Sequence, residues 1–147
     1  MEEKKSHLIK LINKLYRYTQ SYIDEALKRF NLSSGTYQFL LVLSKNEGIS
    51  QNEISKRLNV DKAMSARSVK RLMKLGYIRK GVDEEDCRAC RLYLTDSAKA
   101  IIPEIIIEIN KWIDIITKDS SEDEQRDAVD FLSKALMNAK GFKKSNL

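Results

Sequence analysis

Basic side chains are concentrated in one stretch of this sequence, between Lys62 and Lys80. That stretch contains seven Lys or Arg residues and no Asp or Glu. A surface that serves only solubility usually carries both signs of charge, whereas a surface of one sign is suited to a polyanion. The residue types here therefore indicate a polyanionic partner.

A second candidate for chemistry is the Cys-x-x-Cys pair formed by Cys87 and Cys90. Such a pair suggests thiol redox chemistry or half of a zinc site. A zinc site needs about four ligands, and the chain has one histidine, His7, far away in the sequence. Residues three apart on a strand point to opposite faces, so an intramolecular disulfide would need distortion. We interpret both cysteines as structural, keep a thiol switch as the alternative, and expect no metal and no cofactor.

The net charge of +6 is carried mainly by the middle of the chain. Residues 44–95 have a net charge of +5, residues 1–43 of +3 and residues 96–147 of −2. The sequence contains no Gly-rich phosphate loop or other enzyme signature, so we expect a protein that is not an enzyme. No apolar run reaches the roughly 18 residues of a membrane span. The first residues also lack a signal-peptide pattern, which predicts a cytoplasmic protein without membrane contact.

The basic stretch has the pattern of one amphipathic helix. With a rotation of about 100° per residue, one face consists of Ser65, Ser68, Val69 and Leu72. The opposite face carries small or basic side chains, which are Ala63, Met64, Arg67, Lys70, Arg71 and Lys74. Asp61 is a suitable N-cap for this helix. Gly76 can adopt the positive φ of a residue that follows a helix.

A short helix and a hairpin are predicted on either side of the basic helix. Ser50 and Glu53 form a capping box that begins a helix over Gln51–Leu58. A short helix, a tight turn and a basic second helix make the helix-turn-helix pattern. Residues 77–80 and 88–95 then read as strands on the two sides of a polar turn at 81–86. With this hairpin, the predicted motif is a winged helix-turn-helix.

Longer helices are predicted at both ends of the chain. Apolar residues at spacings of three and four predict a first helix over 5–30. Ser33 or Ser34 is then expected to cap a second helix that ends near Ser44. A fifth helix, capped by Thr95 or Asp96, extends to about residue 118 and is apolar on more than one face. A capping box at 121–124 begins a sixth helix, and residues 141–147 are expected to be a frayed tail.

The predicted fold class is therefore mostly α with a small β-hairpin wing, in one domain over residues 1–147. Residues 33–95 form its winged helix-turn-helix part, which binds DNA. The helices over 5–30 and 96–140 are assigned to dimerisation, because a monomer of 147 residues could not cover their apolar faces.

Two stretches of the sequence resemble the MarR family of prokaryotic transcription regulators, and the resemblance extends over nearly the whole chain. One stretch is the basic helix over 61–72 with the Gly76-Tyr77-Ile78 that follows it, and the other is the wing over 83–95. The wing fits the family pattern of Asp, any residue and Arg at 86–88, with Leu-Thr at the end of the strand. The family has a Gly soon after this Leu-Thr, where the chain has Ala98.

The resemblance implies a homodimer whose first, fifth and sixth helices form the interface, on a pseudo-palindromic operator in double-stranded DNA. The expected DNA contacts are Lys62, Ala63, Met64, Arg67, Lys70, Arg71, Lys74, Asp86 and Arg88. Arg67 lies in the helix half that reaches base edges, and Arg can form paired hydrogen bonds with guanine. The later cations of the helix are better placed for phosphates.

The resemblance implies a separate role for Arg88. The family implies that Asp86 holds this Arg, which then enters the minor groove, and narrow minor grooves attract Arg. A simple salt bridge within the hairpin is the alternative interpretation.

Four residues are candidates for a small-molecule site, namely Tyr16, Arg17, Tyr37 and Trp112. The resemblance implies a small amphipathic or phenolic effector between the dimer helices and the winged part, while packing in the core or interface is the alternative for each residue. We therefore expect a ligand-responsive repressor. Two other functions remain open at this point: a redox regulator that acts through Cys87 and Cys90, and a non-specific architectural DNA binder.

Overall fold

The protein's structure, a computed structural model, describes residues 2–82 and 90–146. In chain order its elements are α1 (Glu2–Ala26), a short 3-10 helix (Lys28–Phe30), α2 (Tyr37–Lys45), α3 (Gln51–Leu58), α4 (Lys62–Lys74), β1 (Ile78–Val82), β2 (Cys90–Leu94), α5 (Asp96–Ile116) and α6 (Glu122–Asn146). The two strands form one antiparallel hairpin, in which Ile78 pairs with Leu94 and Val82 with Cys90. The predicted fold class, mostly helical with a small hairpin, is confirmed.

The chain divides into two compact units, Met1–Trp112 and Ile113–Leu147. The first unit contains the hydrophobic core, to which α1 contributes Ile23, and the hairpin contributes Leu92 and Leu94. Val69 and Leu72 of α4 are buried in the same core. The core therefore fixes α4 against the rest of the first unit through its apolar face.

Local capping determines where α3 and α4 begin and end, as the sequence predicted. The Ser50 side chain accepts a hydrogen bond from the Glu53 N–H at the start of α3. The Asp61 side chain accepts a hydrogen bond from the Met64 N–H at the start of α4. Asn59, with φ of 54°, ends α3, and Gly76, with φ of 80°, follows α4. A left-handed residue after a helix lets the chain turn sharply, so two short helices fit within the 24 residues from Gln51 to Lys74.

The prediction that Ser33 or Ser34 caps the second helix is wrong, because α2 begins at Tyr37. The Ser33 N–H donates to the Thr36 hydroxyl oxygen over 2.9 Å, and the Ser34 N–H donates to the Asp24 carboxylate over 2.6 Å. These bonds close a turn that is attached to α1. Side chains of Ser, Thr and Asp often compete in this way with helix formation.

Several other predicted bounds also need correction. α1 ends at Ala26 and is followed by the 3-10 helix, so it does not continue to residue 30. Gly81 and Val82 lie in β1 and not in a turn, because the ladder pairs them with Arg91 and Cys90. The expected frayed tail is wrong, since α6 continues to Asn146. An interior Gly costs a helix only about 1 kcal/mol, so Gly141 does not end it.

The start of α5 agrees with the sequence. The Thr95 hydroxyl oxygen accepts the Ala98 N–H over 3.3 Å, as an N-cap does. Ala98, at the position where the family that the sequence resembles has Gly, is completely buried in the core. Within residues 2–82 and 90–146, no helix combines the length and the apolar character needed to cross a membrane.

Candidate nucleic-acid interface

α4 presents two chemically different faces. Its buried residues are Ser65, Ser68, Val69 and Leu72, the four that the helical period placed together. Its exposed residues include all of its cations, Lys62, Arg67, Lys70, Arg71 and Lys74. Within the described part of the chain, no carboxylate forms an ion pair with any cation of this helix. The positive charge of α4 is therefore available to a partner.

Met64 departs from the sequence prediction. It was expected on the exposed face with the cations, but it is half-buried and lines a cavity. The neighbouring Ala63 is exposed, as predicted. The helical period describes one helix alone, whereas Met64 borders a cavity that it shares with other segments of the chain. Leu58 and Val60, which precede α4, line the same cavity.

The two serines on the buried face of α4 differ in their hydrogen bonding. The Ser68 hydroxyl donates to the Gly35 carbonyl oxygen over 3.4 Å. The Ser65 hydroxyl is completely buried and finds no hydrogen-bond partner among the described residues. An unsatisfied buried hydroxyl costs stability, so the Ser65 side chain is expected to destabilise the folded protein.

The base of the hairpin is joined to the turn that precedes α3. Gly48 donates its N–H to the Leu92 carbonyl oxygen over 2.9 Å, and the Leu92 N–H donates to the Ile49 carbonyl oxygen over 3.0 Å. The Arg91 guanidinium also donates to the Gly48 carbonyl oxygen over 3.0 Å. These bonds hold the described part of the hairpin in a fixed relation to the helix-turn-helix.

The Tyr93 ring lies across the outer face of this hairpin. The Arg79 guanidinium carbon lies 4.7 Å from its centroid. A Cβ added to Gly81 would lie 2.6 Å from Cε2 of the ring. A side chain at position 81 would therefore require the Tyr93 ring to move.

Three residues with proposed wing roles, Asp86, Cys87 and Arg88, lie outside the described residues. The other cysteine, Cys90, is described as a half-buried free thiol at the start of β2. Among the described residues, no group of three or more His, Cys, Asp or Glu side chains could hold a metal ion.

Four exposed cations near α4 were not assigned a role from the sequence. Lys56 and Arg57 lie at the end of α3, while Arg79 and Lys80 lie on β1, shortly after α4. Arg79 and Lys80 belong to the stretch over 62–80 that contains no acidic residue. This pattern could have identified them from the sequence.

A cavity of about 460 Å³ lies beside the first turn of α4. α1 contributes Tyr16 and Gln20 to its lining, and the start of α2 contributes Tyr37 and Gln38. Asn59 and Met64 of the helix-turn-helix complete the opposite side. The cavity is therefore bounded both by the first helix and by the segment that carries the basic face.

The four residues predicted for a small-molecule site are only partly brought together. Tyr16 and Tyr37 line the cavity, whereas Arg17 and Trp112 do not. Arg17 is exposed on α1. Trp112 stacks on Tyr22 with ring centroids 4.8 Å apart, and its indole N–H donates to the Thr19 hydroxyl oxygen over 2.9 Å. Trp112 thus has a packing role inside the first unit.

Tyr77, which does not line the cavity, has a shifted pKa. Burial raises the pKa of Tyr77 above its ordinary value. Its hydroxyl donates to the Phe30 carbonyl oxygen over 2.8 Å. This contact attaches the segment after α4 to the end of the 3-10 helix.

Comparison with known proteins agrees with this geometry. A family model described as "MarR family" matches residues 30–89, the part that contains α2, α3, α4 and β1. The HTH-type transcriptional regulator BilQ of Clostridioides difficile (strain CD3) is 33% identical over 119 residues, which are 81% of this chain and 80% of that protein. The uncharacterised HTH-type regulator YwoH of Bacillus subtilis (strain 168) is 30% identical over 126 residues, 86% of this chain and 90% of its own.

Solved structures show the same fold. A MarR transcriptional regulator from Methanosarcina mazei Go1 superposes with a TM-score of 0.86 at 29% identity, covering 93% of this chain and 99% of its own. A MarR family regulator from Listeria monocytogenes, solved in complex with a 26mer DNA, gives a TM-score of 0.86 at 25% identity and covers 94% of each chain. The chain described here therefore belongs to the MarR family of transcription regulators, and it is not an enzyme.

Proposed function

We propose that this protein is a sequence-specific, ligand-responsive repressor that binds a pseudo-palindromic operator as a homodimer. The observation that carries the proposal is the exposed face of α4, on which five cations are free of ion pairs with described carboxylates. A helix of this kind, preceded by a short helix and a tight turn, is suited to the major groove of DNA. The Listeria relative was solved in complex with DNA, which supports DNA as the partner of this chain.

The cations of α4 are assigned different roles by their positions along the helix. Arg67 lies in the N-terminal half of α4, the half that contacts base edges in helix-turn-helix proteins. Lys70, Arg71 and Lys74 follow it and are assigned to phosphates, which provide affinity without reading the sequence. Lys62 and Ala63 lie in the first turn of α4 and are also assigned to DNA contact. Asp86 and Arg88 are assigned to the minor groove at the flanks of the site.

Exposed apolar side chains support the homodimer. α1 exposes seven large apolar residues by 40% to 68%, which are Leu8, Ile9, Leu11, Ile12, Leu15, Tyr16 and Tyr18. In the second unit, α6 exposes Val129, Phe131, Leu132, Leu136, Met137 and Phe142. Such extended apolar faces are rarely left in water by a monomer. A second copy of the chain, which carries the same faces, would cover them.

The cavity beside α4 supports the ligand-responsive part of the proposal. Its volume of about 460 Å³ lies in the range of small-molecule sites, and its lining mixes apolar side chains with a few polar groups. Tyr16 and Tyr37 come to it from two different elements. We assign this cavity to a small amphipathic effector.

Selection of bound fragments from a random DNA pool tests the proposal. A repressor of this kind should enrich a pseudo-palindromic site and bind it about a thousandfold or more tightly than scrambled duplex at the same salt concentration. Equal binding to enriched and scrambled duplexes would instead identify a non-specific architectural DNA binder. A selected site without two-fold symmetry would contradict binding by a symmetric dimer.

A further inference from the structure

The short 3-10 helix over Lys28–Phe30 is attached to two elements that lie far from it in the sequence. On one side, Nη2 of Arg29 lies 3.5 Å from Oε1 of Glu108 in α5. On the other side, the Phe30 carbonyl oxygen accepts the Tyr77 hydroxyl over 2.8 Å, shortly after α4. We call this arrangement of Arg29, Phe30, Tyr77 and Glu108 the 3-10 connection. It joins α5 to the segment that follows α4.

Arg29 is the member of the 3-10 connection that reaches α5. Its guanidinium carbon lies 4.5 Å from the centroid of the Phe30 ring, and this contact helps to hold the side chain in place. The Glu108 side chain is only 14% exposed, so salt screens its charge less than that of a surface carboxylate. Lys111 also contacts this carboxylate, over 3.1 Å, but it lies on the same helix. Among the described ion pairs, it is therefore the pair with Arg29 that links Glu108 to another element.

Tyr77 is the member of the 3-10 connection that reaches α4. Its N–H donates to the Leu72 carbonyl oxygen, in the last turn of α4, over 2.9 Å. Its carbonyl oxygen accepts the Thr95 N–H over 3.0 Å. A displacement of Phe30 would therefore also move Tyr77 and the end of the helix that carries the basic face.

The start of α5 has a separate attachment to the same segment. The hydroxyls of Thr95 and Ser97 donate to the Gly76 carbonyl oxygen over 2.6 Å and 3.2 Å. Glu108 lies about 16 Å further along α5, at the usual helical rise per residue. One attachment acts as a pivot, whereas two attachments at this separation define a direction. Apolar packing is non-directional, so these polar contacts supply the directional restraint between α5 and α4.

We propose that Arg29, Tyr77 and Glu108 are positioning residues, which fix the direction of α4 relative to α5 and so determine the half-site spacing that the dimer accepts. The inference rests on the proposed function, because it names residues that set the specificity of the same DNA-binding surface. Ile106 and Ile107, next to Glu108, are exposed and belong to the helices that we assign to dimerisation. A rotation of α4 relative to α5 therefore changes the distance between the two α4 helices of a dimer. That distance must match the half-site spacing of the operator, which is about one helical turn of DNA or a multiple of it.

Two variants with the same loss of charge test the ion pair. Arg29→Gln and Lys111→Gln each remove one cation from the Glu108 carboxylate, and the two side chains are similarly exposed, at 54% and 59%. Arg29→Gln breaks the link between two elements, whereas Lys111→Gln removes a contact within α5. Lys111→Gln is therefore the matched control.

Two tyrosine variants test the other half of the 3-10 connection. Tyr77→Phe removes the hydroxyl that reaches the Phe30 carbonyl oxygen and keeps the ring. Tyr22→Phe makes the same change at another half-buried tyrosine, which lies outside the 3-10 connection. It is the control for the loss of a hydroxyl.

The measurement is the ratio of affinities for two operators, the selected one and a copy whose half-sites are one base pair further apart. A variant that is only less stable binds both operators more weakly by the same factor, so its ratio stays the same. Arg29→Gln and Tyr77→Phe should each lower the preference for the selected spacing by about two- to fivefold, as expected for the loss of one ion pair or one hydrogen bond. Lys111→Gln and Tyr22→Phe should leave the ratio unchanged.

Hydrogen exchange, followed by mass spectrometry, tests the 3-10 connection in the protein without DNA. Arg29→Gln should accelerate exchange of the backbone amides over residues 73–80 by about two- to fivefold, because this segment loses its attachment to α5. Lys111→Gln should not change it. A failure of operator selection would count against the proposed function, while the exchange measurement would still decide whether the 3-10 connection holds the end of α4.

An unchanged spacing ratio in both Arg29→Gln and Tyr77→Phe would overturn the proposal. Equal changes in Arg29→Gln and Lys111→Gln would overturn it as well, since the charge balance at Glu108 would then matter and not its link to the 3-10 helix. The same exchange over residues 73–80 in Arg29→Gln and in the unaltered protein would show that the 3-10 connection does not hold α4.

Discussion

Asp61 accepts a hydrogen bond from the backbone N–H of Met64, with an oxygen-to-nitrogen distance of 2.7 Å. This bond satisfies one of the free donors in the first turn of α4. It also connects two parts of the molecule, since Asp61 begins the helix with the basic face and Met64 lines the cavity. The first turn of α4 therefore carries both Lys62, which we assign to DNA, and Met64, which lines the cavity.

Removal of this cap should destabilise the protein. Asp61→Ala is expected to lower the free energy of unfolding by about 1 kcal/mol, because the Met64 N–H loses its partner. Asp61→Asn keeps a side-chain oxygen at the same position and should stay close to the unaltered protein. Urea unfolding followed by circular dichroism measures both changes. An equal loss in both variants would mean that the carboxylate charge, and not the cap, stabilises the turn.

The two buried serines of α4 should respond in opposite directions to the same substitution. Ser65→Ala removes a buried hydroxyl without a described partner and should raise the free energy of unfolding, by on the order of 1 kcal/mol. Ser68→Ala removes the donor to the Gly35 carbonyl oxygen and should lower it. The pair is well matched, because both are buried serines three residues apart on one helix. Destabilisation by Ser65→Ala would show that its hydroxyl has a partner in the folded protein.

Arg67 and Lys74 should affect DNA binding in different ways. If Arg67 reads a base, Arg67→Ala should cost on the order of 1–3 kcal/mol on the operator and relax preference at one position per half-site. Lys74→Ala should weaken operator and scrambled duplex by similar factors, and should reduce the log–log salt slope by about one unit per lost phosphate contact. Salt titrations on both duplexes measure these effects. Arg67 would be a phosphate contact if Arg67→Ala weakened both duplexes equally.

The wing provides a third comparison in the same titration. Arg88→Ala is expected to have its largest effect on operators with A·T-rich flanks, whose narrow minor grooves attract Arg. Operators that differ only in the base composition of their flanks are the control. A uniform loss across these operators would favour a salt bridge within the hairpin or a phosphate contact.

The cysteines should be dispensable if they are structural. Replacement of Cys87 and Cys90 by Ser should leave operator affinity unchanged, both in reducing buffer and after mild peroxide treatment. Electrophoretic mobility shifts of both proteins under both conditions measure this. The redox alternative predicts that peroxide abolishes binding by the unaltered protein and that the double substitution prevents this loss.

The apolar faces predict the oligomeric state. Sedimentation at low micromolar concentration should give about twice the 17.0 kDa mass of one chain. Leu132→Glu, which places a charge in the exposed apolar face of α6, should shift the mass toward that of one chain. Lys134→Glu alters an exposed charge two residues further along the same helix and should leave the dimer intact. A stable, well-folded monomer of the unaltered chain would contradict the dimer and the two-fold operator.

Features that depend on near neighbours in the chain could be predicted from the sequence. The caps at Ser50 and Asp61 and the positive φ of Gly76 involve residues at most three positions apart, so the local sequence determines them. The buried face of α4 follows from the helical period alone, because Val69 and Leu72 need only a partner surface on that side. The stretch over 62–80 without acidic residues also indicated a polyanionic partner. Its charge depends only on the composition of that stretch, so no tertiary contact was needed to predict it.

Other features were decided by contacts between distant segments. The Ser33–Thr36 turn depends on Asp24 of α1, and β1 extends through Gly81 because Arg91 pairs with it. Met64 is half-buried and borders a cavity that is also lined by Leu58 at the end of α3. Arg17 lies outside the cavity that its neighbour Tyr16 lines, because consecutive helical residues point in directions about 100° apart. The packing of α1, α2 and the helix-turn-helix around the cavity decides which residues line it. Tyr16 is among them, and none of the lining residues is charged.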